Sequence, residues 1–370
     1  MSAWFALAWK NSWRRIAASA CVGVLVLMIC VLTTDQPQLA QTKKPAAAEV
    51  TCATCHVGAA TSYLHAPMRH ALEIPGANPV LEMHPNLTVQ MGAYTYTVLT
   101  KDGKSTYSVT DGKDTMTLPV RWLFGTHSQT WVLEKDGNMY EGLVSYFHEI
   151  EGLGTTPGDN KLTPHNLTEA MGRKLDTTEI NLCFNCHATH ALDGQKLTLD
   201  KLTAGLDCER CHEGSEQHRL DAIHDNYTTV PKKLRTMDAE DSANFCGQCH
   251  RTWDTVVRNG WKGIIDVRFQ PYRLENSKCF SGTDRRISCL ACHDPHQQVN
   301  HDPASYDSKC MACHGEAKTS PTAIANIKTC PVATSKCTSC HMPKLELPGV
   351  HASFTDHMIR IVRAGDPYPY

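Results

Sequence analysis

The sequence lacks an excess of charge of either sign. Its 370 residues contain 36 lysines and arginines against 38 aspartates and glutamates, a formal net charge of −2 with a pI near 6.8. Proteins that bind nucleic acid are usually basic, so this balance argues against nucleic acid as a partner. Charged residues make up only 20% and aromatic residues 7% of the chain. Since 23 glycines and 19 prolines are present, we expect much of the chain to form loops.

Cysteine and histidine are abundant instead, and most of the cysteines follow one pattern. The 18 cysteines and 20 histidines include seven copies of Cys-x-x-Cys-His, whereas chance would give about 0.05 copies of this c-type haem attachment pattern. Two thiols add to the haem vinyl groups and the histidine becomes the proximal iron ligand. The motifs, numbered in chain order, are Cys52–His56, Cys183–His187, Cys208–His212, Cys246–His250, Cys289–His293, Cys310–His314 and Cys337–His341.

These motifs predict seven covalently bound c-type haems. The cysteines predicted to attach them are Cys52, Cys55, Cys183, Cys186, Cys208, Cys211, Cys246, Cys249, Cys289, Cys292, Cys310, Cys313, Cys337 and Cys340. The predicted proximal ligands are His56, His187, His212, His250, His293, His314 and His341. Zinc sites are a weak alternative, because they need ligands in groups of four. A thioredoxin-like dithiol would explain one such pair and not seven.

The N-terminal 35 residues predict export. Lys10, Arg14 and Arg15 precede an uncharged run over residues 16–34. That run is longer than the apolar part of a signal peptide, about 7–15 residues, and approaches a membrane span of about 18 or more. A cleaved signal peptide and an uncleaved inner-membrane anchor are therefore both open, and we favour the anchor. Either one places the rest of the chain outside the cytoplasm, in the periplasm.

The chain divides into five predicted segments. Residues 1–35 form the signal peptide or anchor, 36–50 a flexible linker, 51–91 a first haem-binding segment, 92–150 an inserted antiparallel sheet and 151–370 a six-haem region. The sheet is predicted from runs of β-branched and aromatic residues that alternate with Asp-Gly pairs, which favour hairpin turns. Helices are predicted at 164–175, 178–188, 198–212, 239–250 and 307–314, whereas 253–278 is predicted to be mostly irregular.

Two cysteines outside the motifs also need an explanation. Cys279 and Cys330 would meet an oxidising compartment if the protein is exported. We favour a disulfide between them, since an exposed unpaired thiol would be reactive. The alternative is two separately buried thiols.

The distal iron ligands must come from outside the motifs. Seven of the 20 histidines belong to motifs, and the other 13 suffice to give every haem a second histidine. A filled sixth position suits an electron carrier, whereas an open one permits catalysis. For any single histidine, a surface or core role is the alternative. The candidates are His70, His127, His190, His218, His296, His351 and His357, with Met68 and His224 as substitutes. We expect His351 and His357 to serve two different haems.

Several local sequences give the chain a resemblance beyond its motif count. They are the close-packed motifs, Cys-His-Asp-Pro-His at 292–296, and Cys-His-Met-Pro at 340–343 with histidines after it. In these local sequences the chain resembles a group of multihaem cytochromes. That group includes the tetrahaem cytochrome of hydroxylamine oxidation, hydroxylamine oxidoreductases and cytochrome c nitrite reductases. The resemblance covers about 51–91 and 180–360, and it implies distal histidines after the first and last motifs. The Cys-x-x-Cys-Lys of the nitrite reductases is absent, and so is a recognisable cross-linking tyrosine.

The sequence therefore predicts a multihaem cytochrome c fold: short α-helices and irregular chain around a haem stack, with a small inserted antiparallel β-sheet. We expect little side-chain core, because side chains would pack against porphyrin. The favoured function is electron transfer along seven haems between redox donor and acceptor proteins, rather than enzyme catalysis. One alternative is a reductase of a small nitrogen oxyanion at a five-coordinate haem. A second is a homo-oligomer that forms an extracellular cytochrome filament.

Overall fold

The computed structural model describes residues 50–158, 162–315 and 330–369. The predicted signal peptide or anchor and nearly all of the predicted linker lie outside these residues. Within them, no helix is both long enough and apolar enough to cross a membrane.

The helices are short, and seven of them end in or contain a predicted haem motif. In chain order they are α1 Cys52–Cys55, α2 Val57–Tyr63, α3 Pro79–Met83, α4 Leu167–Met171, α5 Thr177–His187, α6 Cys208–Cys211, α7 Ser215–Ile223, α8 Ala239–His250, α9 Trp253–Arg258, α10 Gln270–Glu275, α11 Cys289–Cys292, α12 Asp307–His314 and α13 Cys337–His341. Single turns of 3₁₀ helix occur at Pro67–His70, Pro75–Ala77, His148–Ile150, Leu234–Thr236, Ile264–Arg268, Arg285–Ile287 and Pro303–Tyr306.

The strands form one large antiparallel sheet and three small ribbons. In chain order they are β1 Leu72–Glu73, β2 Asn86–Met91, β3 Tyr94–Lys101, β4 Lys104–Thr110, β5 Thr115–Phe124, β6 Ser128–Lys135, β7 Asn138–Phe147, β8 Gly152–Thr155, β9 Gly172–Lys174, β10 Ala188–Thr189, β11 Leu192–Asp193, β12 Lys196–Leu197, β13 Thr203–Ala204, β14 Lys344–Glu346 and β15 Ser353–Thr355. The large sheet has the order β2-β3-β4-β5-β6-β7-β8, while β1 pairs with β5 and β9 with β7. The ribbons are β10-β13, β11-β12 and β14-β15.

The predicted hairpin turns lie where the Asp-Gly pairs placed them. Asp102 and Gly103 connect β3 to β4 with φ of 51° and 69°, and Asp136 and Gly137 connect β6 to β7 with φ of 52° and 72°. Left-handed backbone at both central positions is the type I′ geometry that Asp-Gly favours. The sheet is nevertheless larger than the predicted 92–150, because β1 and β2 precede that range and β8 and β9 follow it.

A substantial side-chain core fills one face of this sheet, contrary to the prediction of little core. Trp131, Tyr107, Val98 and Leu133 have no exposed surface, and Tyr96 has 1%. These residues belong to one buried cluster drawn from strands β2 to β8 and helices α3 and α4. The terminal strands β2 and β8 also contact each other. The sheet thus curls around its own hydrophobic core and does not depend on porphyrin for packing.

The other face of the sheet carries the helix of motif 2. Phe184 in α5 is 1% exposed and lies edge-on to Trp122 and Phe124 of β5, with ring centroids 5.6 and 5.2 Å away. Helix α5 begins with a capping box, in which Asp176 and Glu179 each accept a backbone N–H of the other. The predicted insertion therefore forms a surface on which a haem-attachment helix packs.

Four sequence predictions are wrong in detail. The predicted helix 164–175 is limited to α4, and strand β9 follows within the predicted range. The predicted helix 198–212 is limited to α6, because most of the preceding residues form turns and strand β13. The segment 253–278, predicted to be irregular, contains α9, a 3₁₀ turn and α10. Cys279 and Cys330 are both exposed free thiols, so the predicted disulfide does not form. Cys279 lies instead beside the motif 6 cysteines Cys310 and Cys313.

Candidate haem-binding site

Each motif lies on a helical turn that holds its two thiols and its histidine close together. The turns of motifs 1, 3 and 5 are four-residue helices whose following histidine donates its N–H to the carbonyl of the first cysteine, at 2.9 Å in each case. In motif 7 the start of the turn is held by α12, since Asp307 accepts the backbone N–H groups of Lys336 and Cys337 at 2.7 and 2.9 Å. Motifs 6 and 7 are therefore anchored to each other.

Thiols of different motifs lie side by side in four places. The pairs within hydrogen-bonding reach are Cys52 with Cys208, Cys186 with Cys249, Cys246 with Cys289, and Cys310 with Cys337. Cys211 also interacts electrostatically with Cys246, and Cys292 with Cys310. Together they place the motifs in the order 1–3–4–5–6–7, with motif 2 joined to motif 4.

Three proximal histidines face one of the predicted distal histidines. The ring centroids are 6.3 Å apart for His56 and His218, 6.0 Å for His212 and His296, and 6.1 Å for His293 and His357. Metal–imidazole bonds are about 2 Å long, so two imidazoles on opposite sides of one metal have centroids about 6 Å apart. Each pair therefore leaves a gap of the width that one iron requires.

The second ring nitrogen of these histidines is engaged in the way that metal ligation needs. Nδ1 of His218 lies 2.7 Å from the Thr229 carbonyl, and Nδ1 of His357 lies 3.0 Å from the Thr355 carbonyl. In His296 the partner of Nδ1 is the Asp294 carboxylate at 3.0 Å. Histidines that bind metals usually donate their other N–H to a carbonyl or carboxylate, which fixes the tautomer. In each case Nε2 keeps its lone pair.

Two proximal histidines show the same second contact. Nδ1 of His187 lies 2.7 Å from the Ala71 carbonyl, at the start of the sheet. Nδ1 of His341 lies 2.9 Å from the Arg360 carbonyl. These donors hold each imidazole in the tautomer whose Nε2 can face a metal. For His187 the orienting carbonyl immediately precedes β1, so the sheet helps to set the position of motif 2.

Burial favours the neutral form of five histidines of this region, which is the form that binds iron. It lowers the pKa of four proximal histidines, namely His187, His212, His250 and His293. Burial, together with the neighbouring His293, also lowers the pKa of His357 to about 4.

The other predicted distal ligands lie elsewhere. His70 has both ring nitrogens in hydrogen bonds, Nδ1 to Glu73 and Nε2 to the Leu64 carbonyl, each at 2.8 Å. Both ring nitrogens are thus occupied by oxygen partners in this arrangement. Nε2 of His190 lies 2.9 Å from the Glu209 carboxylate.

Two more candidates lie where the sheet meets the C-terminal chain. His127 is mostly exposed, 3.9 Å from Glu149, with its ring 6.4 Å from that of Phe354. His351 is exposed and lies edge-on to Phe147 with centroids 5.3 Å apart. The two therefore share one region, although neither faces a proximal histidine through a described ring contact.

The two substitutes lie outside the facing pairs. Met68 is half-buried in the 3₁₀ turn Pro67–His70, and His224 is exposed at the end of α7. Within the described residues, no three side chains of His, Cys, Asp or Glu form a group that could hold a metal ion unaided.

Two residues that shape these sites were not predicted from the sequence. The hydroxyl of Tyr63 donates to the Leu206 carbonyl at 2.9 Å, and its ring lies 6.1 Å from that of His296. Arg273 in α10 is fully buried and pairs with Asp356, the residue before His357. In the sequence, Asp356 stands next to the candidate ligand His357. Nothing in the sequence around Arg273 links that arginine to a residue 83 positions away.

Comparison with known proteins matches parts of this region. The family described as cytochrome c554 and c-prime matches residues 158–213, which contain motifs 2 and 3. Two curated proteins named C-type polyheme cytochrome OmcB, from Geobacter sulfurreducens strains DL-1 / KN400 and ATCC 51573 / DSM 12127 / PCA, also match. Each is 28% identical over 144 residues, which cover 30% of this chain and 19% of the relative. The match thus spans about a fifth of the relatives' length. No solved structure matches the chain.

These matches support a multihaem c-type cytochrome with covalently bound haem and a role in electron transfer. They do not confirm the narrower resemblance to hydroxylamine oxidoreductases and nitrite reductases, which stays a prediction.

Proposed function

We propose that the chain is a heptahaem c-type cytochrome that passes electrons along its haems between redox partner proteins. The observation that carries this proposal is the chain of neighbouring motifs in the order 1–3–4–5–6–7, with motif 2 beside motif 4. Neighbouring attachment points bring haem edges together, and the haems themselves supply the electron chemistry. The protein sets their spacing, ligation and burial.

In this proposal three distal ligands follow from the facing pairs. His218 serves the haem of motif 1, His296 that of motif 3 and His357 that of motif 5. The support is the 6.0–6.3 Å separation of the ring centroids. His127, His190 and His351 stay candidates for the other haems, and His70 could serve only after leaving its two hydrogen bonds.

Export to the periplasm, with residues 16–34 as an inner-membrane anchor, completes the proposal. Its support is the basic and then uncharged pattern of the N-terminal sequence. Haem attachment through thiols also suits an exported chain, because the same cysteines would otherwise be free thiols in an oxidising compartment.

Electron paramagnetic resonance of the ferric protein tests the ligand assignment. We expect the His218→Ala variant to convert one of the seven haems from low spin to high spin, because the iron of motif 1 loses its sixth ligand. The matched control is His224→Ala, six residues later and exposed at the end of α7. A spectrum that changes in the control and not in His218→Ala would contradict the assignment.

A second candidate, reduction of a small nitrogen oxyanion at an open haem, is favoured at motif 2. There the described ring neighbour of the proximal His187 is Phe124, at 5.2 Å, and no described ring contact sets a second histidine opposite it. A high-spin signal in the wild-type protein that shifts on addition of nitrite or cyanide would favour the reductase. Low-spin haem throughout would oppose it.

A further inference from the structure

Helix α10 carries one side chain beside a proximal ligand and another that binds the residue before a proposed distal ligand. The side chain of Gln270, at its first position, lies beside the imidazole of His250 in motif 4. Arg273, one turn later, binds Asp356, the residue before His357 in the C-terminal chain. Residues three apart lie on one face of a helix, so a single face of α10 carries both side chains.

Arg273 is held on every side by the protein. The guanidinium has no exposed surface. It donates two parallel hydrogen bonds to the Asp356 carboxylate, from Nε to Oδ1 and from Nη2 to Oδ2, each at 2.9 Å. Its Nη1 donates to the carbonyl of Pro369 at 3.0 Å, and its Cζ lies 4.6 Å from the ring centroid of Tyr368. This is the planar, two-bond geometry that an arginine and a carboxylate favour.

The carboxylate of Asp356 in turn fixes the backbone around His357. Besides Arg273 it accepts hydrogen bonds from the N–H of Met358, at 3.0 Å, and from Arg360. The hydroxyl of Ser277, just after α10, donates to the His357 carbonyl at 3.2 Å and accepts the N–H of Ile359 at 2.8 Å. The two peptide groups that follow the histidine are thus tied, through Asp356 and Ser277, to α10 and the turn after it.

We propose that the buried pair of Arg273 and Asp356 is a positioning device that holds His357 opposite His293 as a distal iron ligand. The inference rests on the proposed function, since it takes His357 as a ligand of the haem of motif 5. A buried ion pair is a costly way to gain stability alone, and its best-attested use is to fix one arrangement. Here that arrangement is the 6.1 Å separation of the two imidazole rings.

Two variants of the pair separate positioning from general stability. Asp356→Asn keeps the shape and the bond from Met358 but removes the charge. Arg273→Lys keeps the buried charge but loses the two-bond fork. The matched control is Asp284→Asn, which breaks the partly exposed fork between Arg286 and Asp284. That pair lies just before motif 5. Its loss therefore changes the charge near the same haem while the hydrogen bonds around His357 stay in place.

The readouts are intact mass, ferric spin state and the midpoint potential of the affected haem. Both pair variants should keep the full haem mass and lose one haem's share of the low-spin signal, as His357→Ala should. Asp284→Asn should keep all haems low-spin. If His357→Ala changes the spectrum while both pair variants keep the wild-type spectrum and potentials, the positioning proposal is overturned and the ligand assignment stands. If His357→Ala itself leaves every haem low-spin, the positioning proposal and the ligand assignment are both wrong.

Discussion

The contact between the sheet and the helix of motif 2 gives a prediction whose size follows from packing. Phe184 is 1% exposed and meets Trp122 and Phe124 edge-on at interplanar angles of 90° and 87°. Replacing a buried phenylalanine by alanine usually costs about 3–5 kcal/mol, since transfer free energy is lost and a cavity remains. Domains of this kind are stable by about 5–15 kcal/mol, so Phe184→Ala should remove a large part of the stability.

Guanidinium denaturation followed by far-ultraviolet circular dichroism measures this loss without interference from haem absorption. With a slope of about 4 kcal/mol per molar denaturant, a loss of about 4 kcal/mol lowers the midpoint by about 1 M. Leu182→Ala is the control, because Leu182 lies in the same helix and is 58% exposed; it should change the stability by about 0.5 kcal/mol or less. We also expect only Phe184→Ala to shift the potential of one haem, because His187 follows three residues later. Equal midpoints for the two variants would show that the Phe184 contact does not stabilise the fold.

Three further predictions concern the motifs and the sheet. Replacing both Cys246 and Cys249 by alanine should lower the intact mass by one haem and destabilise the neighbouring motifs; an unchanged mass would show that motif 4 carries no haem. Gly172→Ala should destabilise the protein by more than about 1 kcal/mol, because φ is +133° and a Cβ would lie 1.9 Å from a backbone oxygen of β7. Thermal unfolding measures this loss, and the control is Gly58→Ala, where an added Cβ would meet open space. Tyr107→Phe should cost about 1–3 kcal/mol in denaturation midpoints, since its buried hydroxyl accepts a backbone N–H at 3.2 Å; equal midpoints would contradict this.

Features that depend on a few adjacent residues could be predicted from the sequence. The attachment motifs are local by chemistry, since two thiols and a histidine must reach one haem from one helical turn. The hairpins at Asp102-Gly103 and Asp136-Gly137 are local too, because the left-handed backbone of a type I′ turn restricts the residues that fit. His218, His296 and His357 were among the candidate distal ligands, but the sequence could not say which motif each one faces.

Features that depend on long-range packing could not be predicted. Leu72 and Gly172 belong to strands of two or three residues that pair with β5 and β7, and segments that short carry no periodic pattern. The prediction of little core overlooked that a curled sheet can bury Trp131 and Tyr107 against its own strands. Arg273 has an ordinary local sequence, and its role appears only when α10 meets the C-terminal chain.

The number of attached haems can be read from the intact mass of the exported protein, expressed with a haem-attachment system. We expect the mass of the polypeptide plus seven haem additions, one for each Cys-x-x-Cys-His motif. Digestion between motifs should then place one haem on every motif peptide. A mass with fewer additions, or a motif peptide with free thiols, would contradict the account of one continuous chain of haems.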